Sequence, residues 1–437
     1  MNKLTVIGGG LAGCEAAYAA ANRGIEVELI EMKPAKKTAA HKSDSLAELV
    51  CSNSLKAARV DSAAGLLKEE MRRLGSVCLA AADRSAVAAG GALAVDRDIF
   101  SRLITEKIKS HPNITVTERL VTEIPQGGVT IIATGPLTDD ALAEKLAGLC
   151  DGGNLSFYDA AAPIVTAESV DMSKAFFASR YDKGGDDYIN CPMNKEEYTA
   201  FYHELINAES APLHGFDKAP NVYEGCMPIE VLAKRGEDSI RFGPLKPVGL
   251  RDPRTGHRPW AAVQLRRENA AATLFNIVGF QTNLKFSEQK RVFSIIPGLE
   301  NAEFMRYGVM HRNTFINSPK LLNRNLSLKA DKNIFIAGQL SGVEGYMESA
   351  ASGIIAGINA AAEITGEKPL VLPETTMTGA LLSYITNPLT ENFQPMGANF
   401  GIIPPLEAHI RDKRERYAAL AARALGILAE NIKTEEI

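Results

Sequence analysis

Cysteine is sparse and scattered in this chain. Six occur among 437 residues, at positions 14, 51, 78, 150, 191 and 226, with no CxxC pair and no close histidine partner. That spacing excludes a zinc knuckle and a thioredoxin-like dithiol, and it fits a reduced, cytoplasmic protein. No apolar run approaches the roughly 18 residues that a membrane span needs, so no membrane association is expected. Met1-Asn2-Lys3 leads straight into a short apolar segment without a signal-peptide cleavage pattern, so no secretory leader is expected. Neither sign of charge dominates: 48 Lys+Arg against 52 Asp+Glu leaves −4, and a nucleic-acid partner would have to meet a local patch. There is no internal repeat. What is present is 46% hydrophobic against 23% charged residues, enough for a sizeable core, over a length that suits two or three domains of roughly 100–200 residues.

Leu4–Ile7 reads as a short buried strand and runs into Gly8-Gly9-Gly10-Leu11-Ala12-Gly13. An alanine-rich helix to Arg23 follows, Gly24 stops it, and Ile25–Ile30 forms a second strand ending on Glu31. This is the dinucleotide fingerprint in its required context of strand, glycine turn, helix, strand and acid. Gly8 permits the tight turn, Gly10 lets the backbone approach a pyrophosphate, and Gly13 lets the helix pack on the strand. The helix start offers free N–H groups to phosphate, and Glu31 can accept from ribose hydroxyls.

The fingerprint alone does not separate FAD from NAD; two later segments favour FAD. Val129–Gly135 is an apolar strand ending in Ala-Thr-Gly, and Ile334–Gly338 is a buried strand meeting a glycine, followed by a small-residue helix over about 348–364. This strand–glycine–helix return resembles the FAD-binding closure of the glutathione-reductase-like superfamily. The expected fold is therefore α/β: a Rossmann-like FAD-binding domain with an inserted smaller α+β domain. Its parts are read as 1–187 and 305–437, with the change of texture at 188–304 marking the insertion. Residues 91–135 read as a further βαβ-like passage, and a locally basic helix is expected over about 407–429.

Two cysteines sit in unusual company. Cys51 lies in Cys51-Ser52-Asn53-Ser54-Leu55-Lys56, where Ser/Asn/Ser reads as a helix start whose dipole would favour a thiolate. Cys226 lies in Gly225-Cys226-Met227-Pro228, a tight irregular segment that presents a side chain. Residue physics alone leaves each as either core filler or a working thiol, while Cys14, Cys78 and Cys150 read as filler.

Together, Gly8–Gly13, Cys51–Lys56, Gly225–Pro228 and the 337–349 segment Ala-Gly-Gln-Leu-Ser-Gly-Val-Glu-Gly-Tyr-Met-Glu-Ser resemble the folate- and FAD-dependent tRNA (uracil-5-)-methyltransferases. These are the short relatives of the long tRNA wobble-uridine-modifying flavoproteins, and the extra C-terminal helical region of the long family is not expected here. The resemblance spans essentially the whole chain. It implies methylation of the T-loop uridine of tRNA, with 5,10-methylenetetrahydrofolate as carbon donor, FAD as cofactor and NADPH or NADH as reductant. It further implies Cys226 as the nucleophile at uracil carbon 6 and Cys51 as the group that removes the carbon-5 proton, with the reverse assignment left open. Gly338 falls to the FAD site, and His311 and Tyr346 to the face that sandwiches the pterin of the folate.

No second GxGxxG is present, so the nicotinamide is expected to bind only transiently. No metal site and no obligate protein partner are inferred. Lys33, Lys36, Lys37 and Lys42, with Arg251, Arg254, Arg258, Arg266 and Arg267 around Trp260, are the residues that could contact RNA phosphates; solvated loop charge is the plainer reading of each. The competing functions are wobble-uridine modification with a partner GTPase, a flavin-dependent oxidoreductase of a small molecule, and a non-catalytic FAD carrier.

Overall fold

The computed structural model describes residues 3–38, 40–148, 155–182, 185–212, 227–390 and 393–433. Cys150 and Cys226 lie outside the described residues, as does the side chain of His311.

Five parallel strands build the central sheet: β1 (Lys3–Ile7), β2 (Glu26–Glu31), β3 (Ile114–Glu118), β4 (Val129–Ile132) and β5 (Ile334–Ile336), in the order β5-β4-β1-β2-β3. All four residues of β4 are buried, the pattern of a strand covered on both faces. Helix α1 (Leu11–Ala21) has no polar face; every residue but Tyr18 is buried, against the sheet, against a second helix, α2 (Tyr346–Thr365), and, at Glu15, against the start of helix Val77–Arg84. The two helices meet backbone to backbone: a Cβ on Gly353 would lie 2.2 Å from Ala12 O, and one on Gly357 2.4 Å from Ala16 O. This close approach sets the first turn of α2 beside the glycine turn that precedes α1.

A second, six-stranded sheet takes the order Phe176–Phe177, Tyr188–Met193, Ala261–Arg267, Leu274–Ile277, Ile164–Thr166, Phe304–Arg306, with antiparallel neighbours throughout. Helices Lys195–Asn207 and Phe286–Phe293 close it over a core that includes Tyr198, Phe201, Phe280 and Phe293. Two of its strands, at 164–166 and 176–177, precede residue 188, so the sheet reaches back beyond the 188–304 stretch that texture singled out. The chain leaves and re-enters the nucleotide-binding part along an antiparallel ribbon, Leu155–Ala160 against Met310–Phe315.

The 91–135 passage is not a βαβ unit of one sheet. Ala92–Val95 pairs antiparallel with Ser54–Ala57 and Ala86–Val87 in a separate three-stranded sheet, whereas the strands after helix Arg97–Lys109, β3 and β4, join the parallel sheet. The last helix spans Lys413–Lys433 rather than starting near 407. Among the described residues, no helix is long and apolar enough to cross a membrane.

Candidate active site

The glycine turn behaves as its spacing demands. Gly8 has φ +102°, and a Cβ there would lie 2.6 Å from Ala133 O; a Cβ on Gly13 would lie 1.8 Å from Gly8 O. Gly10, by contrast, faces open space, with no atom within 4 Å of where its Cβ would stand. It is also the N-cap of α1 and brings no side-chain cap, which leaves the first-turn N–H groups available to an anion. Glu31 fastens this turn: Oε2 accepts the Gly9 N–H at 2.7 Å and Oε1 the Lys33 N–H at 3.0 Å.

Two cavities meet at Gly10. The outer one, about 540 Å³, lies against Glu31, Met32, Val121 and Leu142; the inner one, about 840 Å³, runs past Leu11, Ala12 and Gly135 to Gly338, Tyr346 and Cys51. Gly10, His41, Thr134 and Leu137 line both, so they form one groove. Gly338, at φ +77°, donates its N–H to Ser352 Oγ at 2.8 Å and turns the chain from β5 toward α2. A groove that carries an acid at one end, an uncapped helix start and open glycine at its middle, and a second strand–glycine–helix turn at the other fits a dinucleotide such as FAD. Glu31 would lie toward the adenosine, Gly10, Leu11 and Ala12 at the pyrophosphate, and Gly338 toward the flavin. His41 was not singled out by its sequence; burial pushes its imidazole below the usual range, and Nδ1 lies 2.8 Å from Thr38 Oγ1.

Cys51 closes the inner end of the groove, but not at a helix start. Ser54–Ala57 is a strand, and Ser52 Oγ accepts the Ser54 N–H at 3.1 Å in a local turn instead of capping a helix. The company of Cys51 comes from elsewhere. The Tyr346 phenol oxygen accepts the Cys51 N–H at 2.8 Å and the Ser52 N–H at 3.3 Å, and stands 2.9 Å from Cys51 Sγ. With both lone pairs facing N–H donors, the phenol has its own proton to give to sulfur, so the O–H donates to Sγ. Burial holds the Tyr346 hydroxyl well above its ordinary range, which keeps it a donor. Cys51 and Tyr346 also line a further cavity of about 810 Å³ with Ser52, Lys56, Glu344 and Glu348, where Lys56 Nζ pairs with Glu348 Oε1 at 2.7 Å. The thiol thus stands in a wall between the dinucleotide groove and a second chamber.

The remaining cysteines described are inert by burial: the Cys14 and Cys78 thiols are pushed far up, and that of Cys191 to about 12. Among the described residues no group of three or more His, Cys, Asp or Glu could hold a metal ion. Most of the basic loop is spoken for: Lys33 is buried against Glu48 and Ser45 O, Lys36 pairs with Asp139, and Lys37 with Asp44. Arg254 pairs with Asp252, and Arg266 is buried against Ser52 and Asn53, so neither presents a free guanidinium to RNA. Arg251 and Arg258 are exposed. Trp260 is stacked by Arg241, whose guanidinium carbon lies 3.8 Å from the ring centroid.

Comparison with known proteins places the chain in a family. The family profile described as Glucose inhibited division protein A matches residues 3–368. The methylenetetrahydrofolate--tRNA-(uracil-5-)-methyltransferase TrmFO of Lactobacillus gasseri is 57% identical over 100% of this chain and 99% of its own length. That of Acetivibrio thermocellus is 58% identical over 98% of each, and that of Pelotomaculum thermopropionicum 59% identical over 97% of this chain and 96% of its own. Among solved structures, Aquifex aeolicus GidA superposes with TM-scores of 0.69 and 0.70 in two crystal forms, at 17% identity, over 98% of this chain and 73% and 76% of that protein; this likeness bears on the fold. The chain belongs to the methylenetetrahydrofolate--tRNA-(uracil-5-)-methyltransferases, within the wider Glucose inhibited division protein A family.

Proposed function

We propose that this protein methylates carbon 5 of the T-loop uridine of tRNA to ribothymidine, taking the carbon from 5,10-methylenetetrahydrofolate. Near full-length identity to proteins of that name supports the activity, and the single structural observation that carries it is the Cys51–Tyr346 pair at the inner end of a dinucleotide groove. Uracil carbon 5 is a poor nucleophile until a group adds at carbon 6, so the reaction calls for a thiolate and, separately, for a base at carbon 5. Cys226 adds to carbon 6 and makes carbon 5 nucleophilic. The one-carbon unit joins carbon 5, Cys51 takes the proton that carbon 5 loses, the bond from that carbon to the folate nitrogen breaks to release tetrahydrofolate, and departure of Cys226 restores the ring. FAD held along Gly10, Leu11, Ala12 and Gly338 would, once reduced by NADPH or NADH, supply the two electrons that bring the one-carbon unit to a methyl group. His311, on the strand Met310–Phe315, and Tyr346, which lines both inner cavities, are assigned to the pterin.

The decisive assay supplies purified protein with FAD, carbon-labelled methylenetetrahydrofolate, NADPH or NADH and unmodified tRNA. Labelled ribothymidine is expected, and S-adenosylmethionine as the sole carbon source should give none. Methylation from S-adenosylmethionine without folate, or no ribothymidine from flavin-loaded protein, overturns the reading.

A further inference from the structure

The stretch Leu49–Asn53 around Cys51 has no regular secondary structure, yet three arginines from three separate elements hold it. Arg97, at the start of helix Arg97–Lys109, donates to Leu49 O at 2.6 Å. Arg306, at the end of strand Phe304–Arg306, donates to Val50 O. Arg266, in strand Ala261–Arg267, donates to Asn53 Oδ1 at 3.1 Å and to Ser52 Oγ at 3.0 Å. The residues on both sides of the thiol are thus bound by guanidinium groups, and every acceptor is neutral, so none of the positive charge is cancelled by these bonds.

Two buried carboxylates accompany them: Glu268, which pairs with Arg97, and Asp96, which caps the helix that Arg97 starts and lines one cavity with Arg97, Glu268 and Arg306. Among the described residues neither Arg266 nor Arg306 forms an ion pair with a carboxylate. Burial lowers both arginines from their ordinary range and Arg97 lowers both further, while negative charge at Cys51 or Glu268 raises both, with Tyr188 raising Arg266 and Tyr346 raising Arg306. Guanidinium groups are rarely buried without a partner anion. The other charged groups around Cys51 are His41 and Glu48 on the groove side, and Lys56, Glu344 and Glu348 on the chamber side, where Lys56 and Glu348 offset one another.

We infer that Arg97, Arg266 and Arg306 form a cationic cradle that keeps Cys51 as a thiolate, with Tyr346 donating to the sulfur and Glu268 moderating the field. The arginines are positioning residues: they act on the reaction through the thiol. A thiolate is the form that can take a proton from carbon 5, and a carboxylate inside the cradle keeps its basicity useful near neutral pH.

The inference rests on the working role given to Cys51 above, but its test needs neither tRNA nor folate, so failure of one is told apart from failure of the other. Flavin-loaded protein is treated with iodoacetamide under reductant from pH 5 to 10, and modification of Cys51 is read by peptide mass. In Arg266→Gln and Arg306→Gln the midpoint should rise by about one pH unit, with about tenfold slower modification below both midpoints. Arg306→Lys, which keeps the charge, should stay close to wild type, and Glu268→Gln should shift the midpoint down. Opposite shifts for opposite charges are what a merely structural role would not produce. Unchanged midpoints in the folded glutamine variants overturn the cradle. Should those variants not fold, Glu268→Gln decides alone: a midpoint that stays or rises refutes the inference.

Discussion

The phenol of Tyr346 donates to Cys51 Sγ at 2.9 Å while accepting the Cys51 N–H at 2.8 Å, across 295 positions of sequence. One hydroxyl therefore both orients the thiol and stabilises its anion. In Tyr346→Phe the N–H groups of Cys51 and Ser52 lose their acceptor and the sulfur loses its donor. An unmade buried bond of this kind costs roughly 1–3 kcal/mol, or about 5- to 150-fold in rate. Single-turnover methylation should slow by about that factor with flavin content retained; a wild-type rate in this variant would remove the hydroxyl from the chemistry.

Gly10 and Gly13 are three residues apart but should fail in different ways. A side chain at Gly10 meets no protein atom, so Gly10→Val should fold with near wild-type circular dichroism and yet purify colourless, because the branch occupies the path of the pyrophosphate. A Cβ at Gly13 meets Gly8 O at 1.8 Å, so Gly13→Val should unfold at lower temperature or fail to accumulate. A yellow Gly10→Val protein would sink the assignment of that glycine to the phosphates.

The glycine turn and its acid were legible in sequence because their demands are local: a few consecutive residues meet the strand on which they are built. The surroundings of Cys51 were not. Ser52, Asn53 and Ser54 look like helix caps, but Asn53 gives its amide to Val95 O and Arg267 O and accepts from Arg266, and Ser52 accepts from Arg266. These partners lie tens to hundreds of residues away, and tertiary bonds overrode the local preference. Ala92–Val95 was readable as a strand, but its partner sheet is decided by packing that no alternation pattern encodes. Charge alone suggests that Arg266 faces RNA; in the structure it is buried and binds Ser52 and Asn53 beside the thiol.

The division of labour between the thiols is open to direct test. If Cys226 attacks carbon 6, Cys226→Ala should lose both methylation and any covalent protein–RNA species that survives denaturation. Cys51→Ala should lose turnover but retain or accumulate the adduct, since addition precedes proton removal. Adduct loss in Cys51→Ala with retention in Cys226→Ala would exchange the roles, and wild-type turnover in both would refute the mechanism.

Glu15 should give the fold a measurable pH dependence away from the site. It is buried on α1, where its carboxylate accepts from Ser76 Oγ, from Val77 N at 3.1 Å and from Cys78 N at 3.0 Å, tying the start of helix Val77–Arg84 to α1. Burial outweighs these bonds and pushes the carboxyl up to about 7 from an ordinary 4.5. The native state therefore binds a proton that the unfolded chain releases. The stability contributed is complete below pH 4.5 and is lost as pH rises through about 7, amounting to roughly 3 kcal/mol at 1.36 kcal/mol per unit. Glu70, Glu230 and Glu268 are raised by burial as well and slope the same way, so the informative quantity is the difference between wild type and Glu15→Gln. The glutamine keeps an acceptor and cannot ionise. Thermal unfolding at pH 5, 6, 7 and 8 should show wild type losing stability relative to the variant as pH rises, with most of the change between pH 5 and 7. Parallel curves would mean that Glu15 keeps the same ionisation folded and unfolded, and that its three hydrogen bonds fully offset its burial.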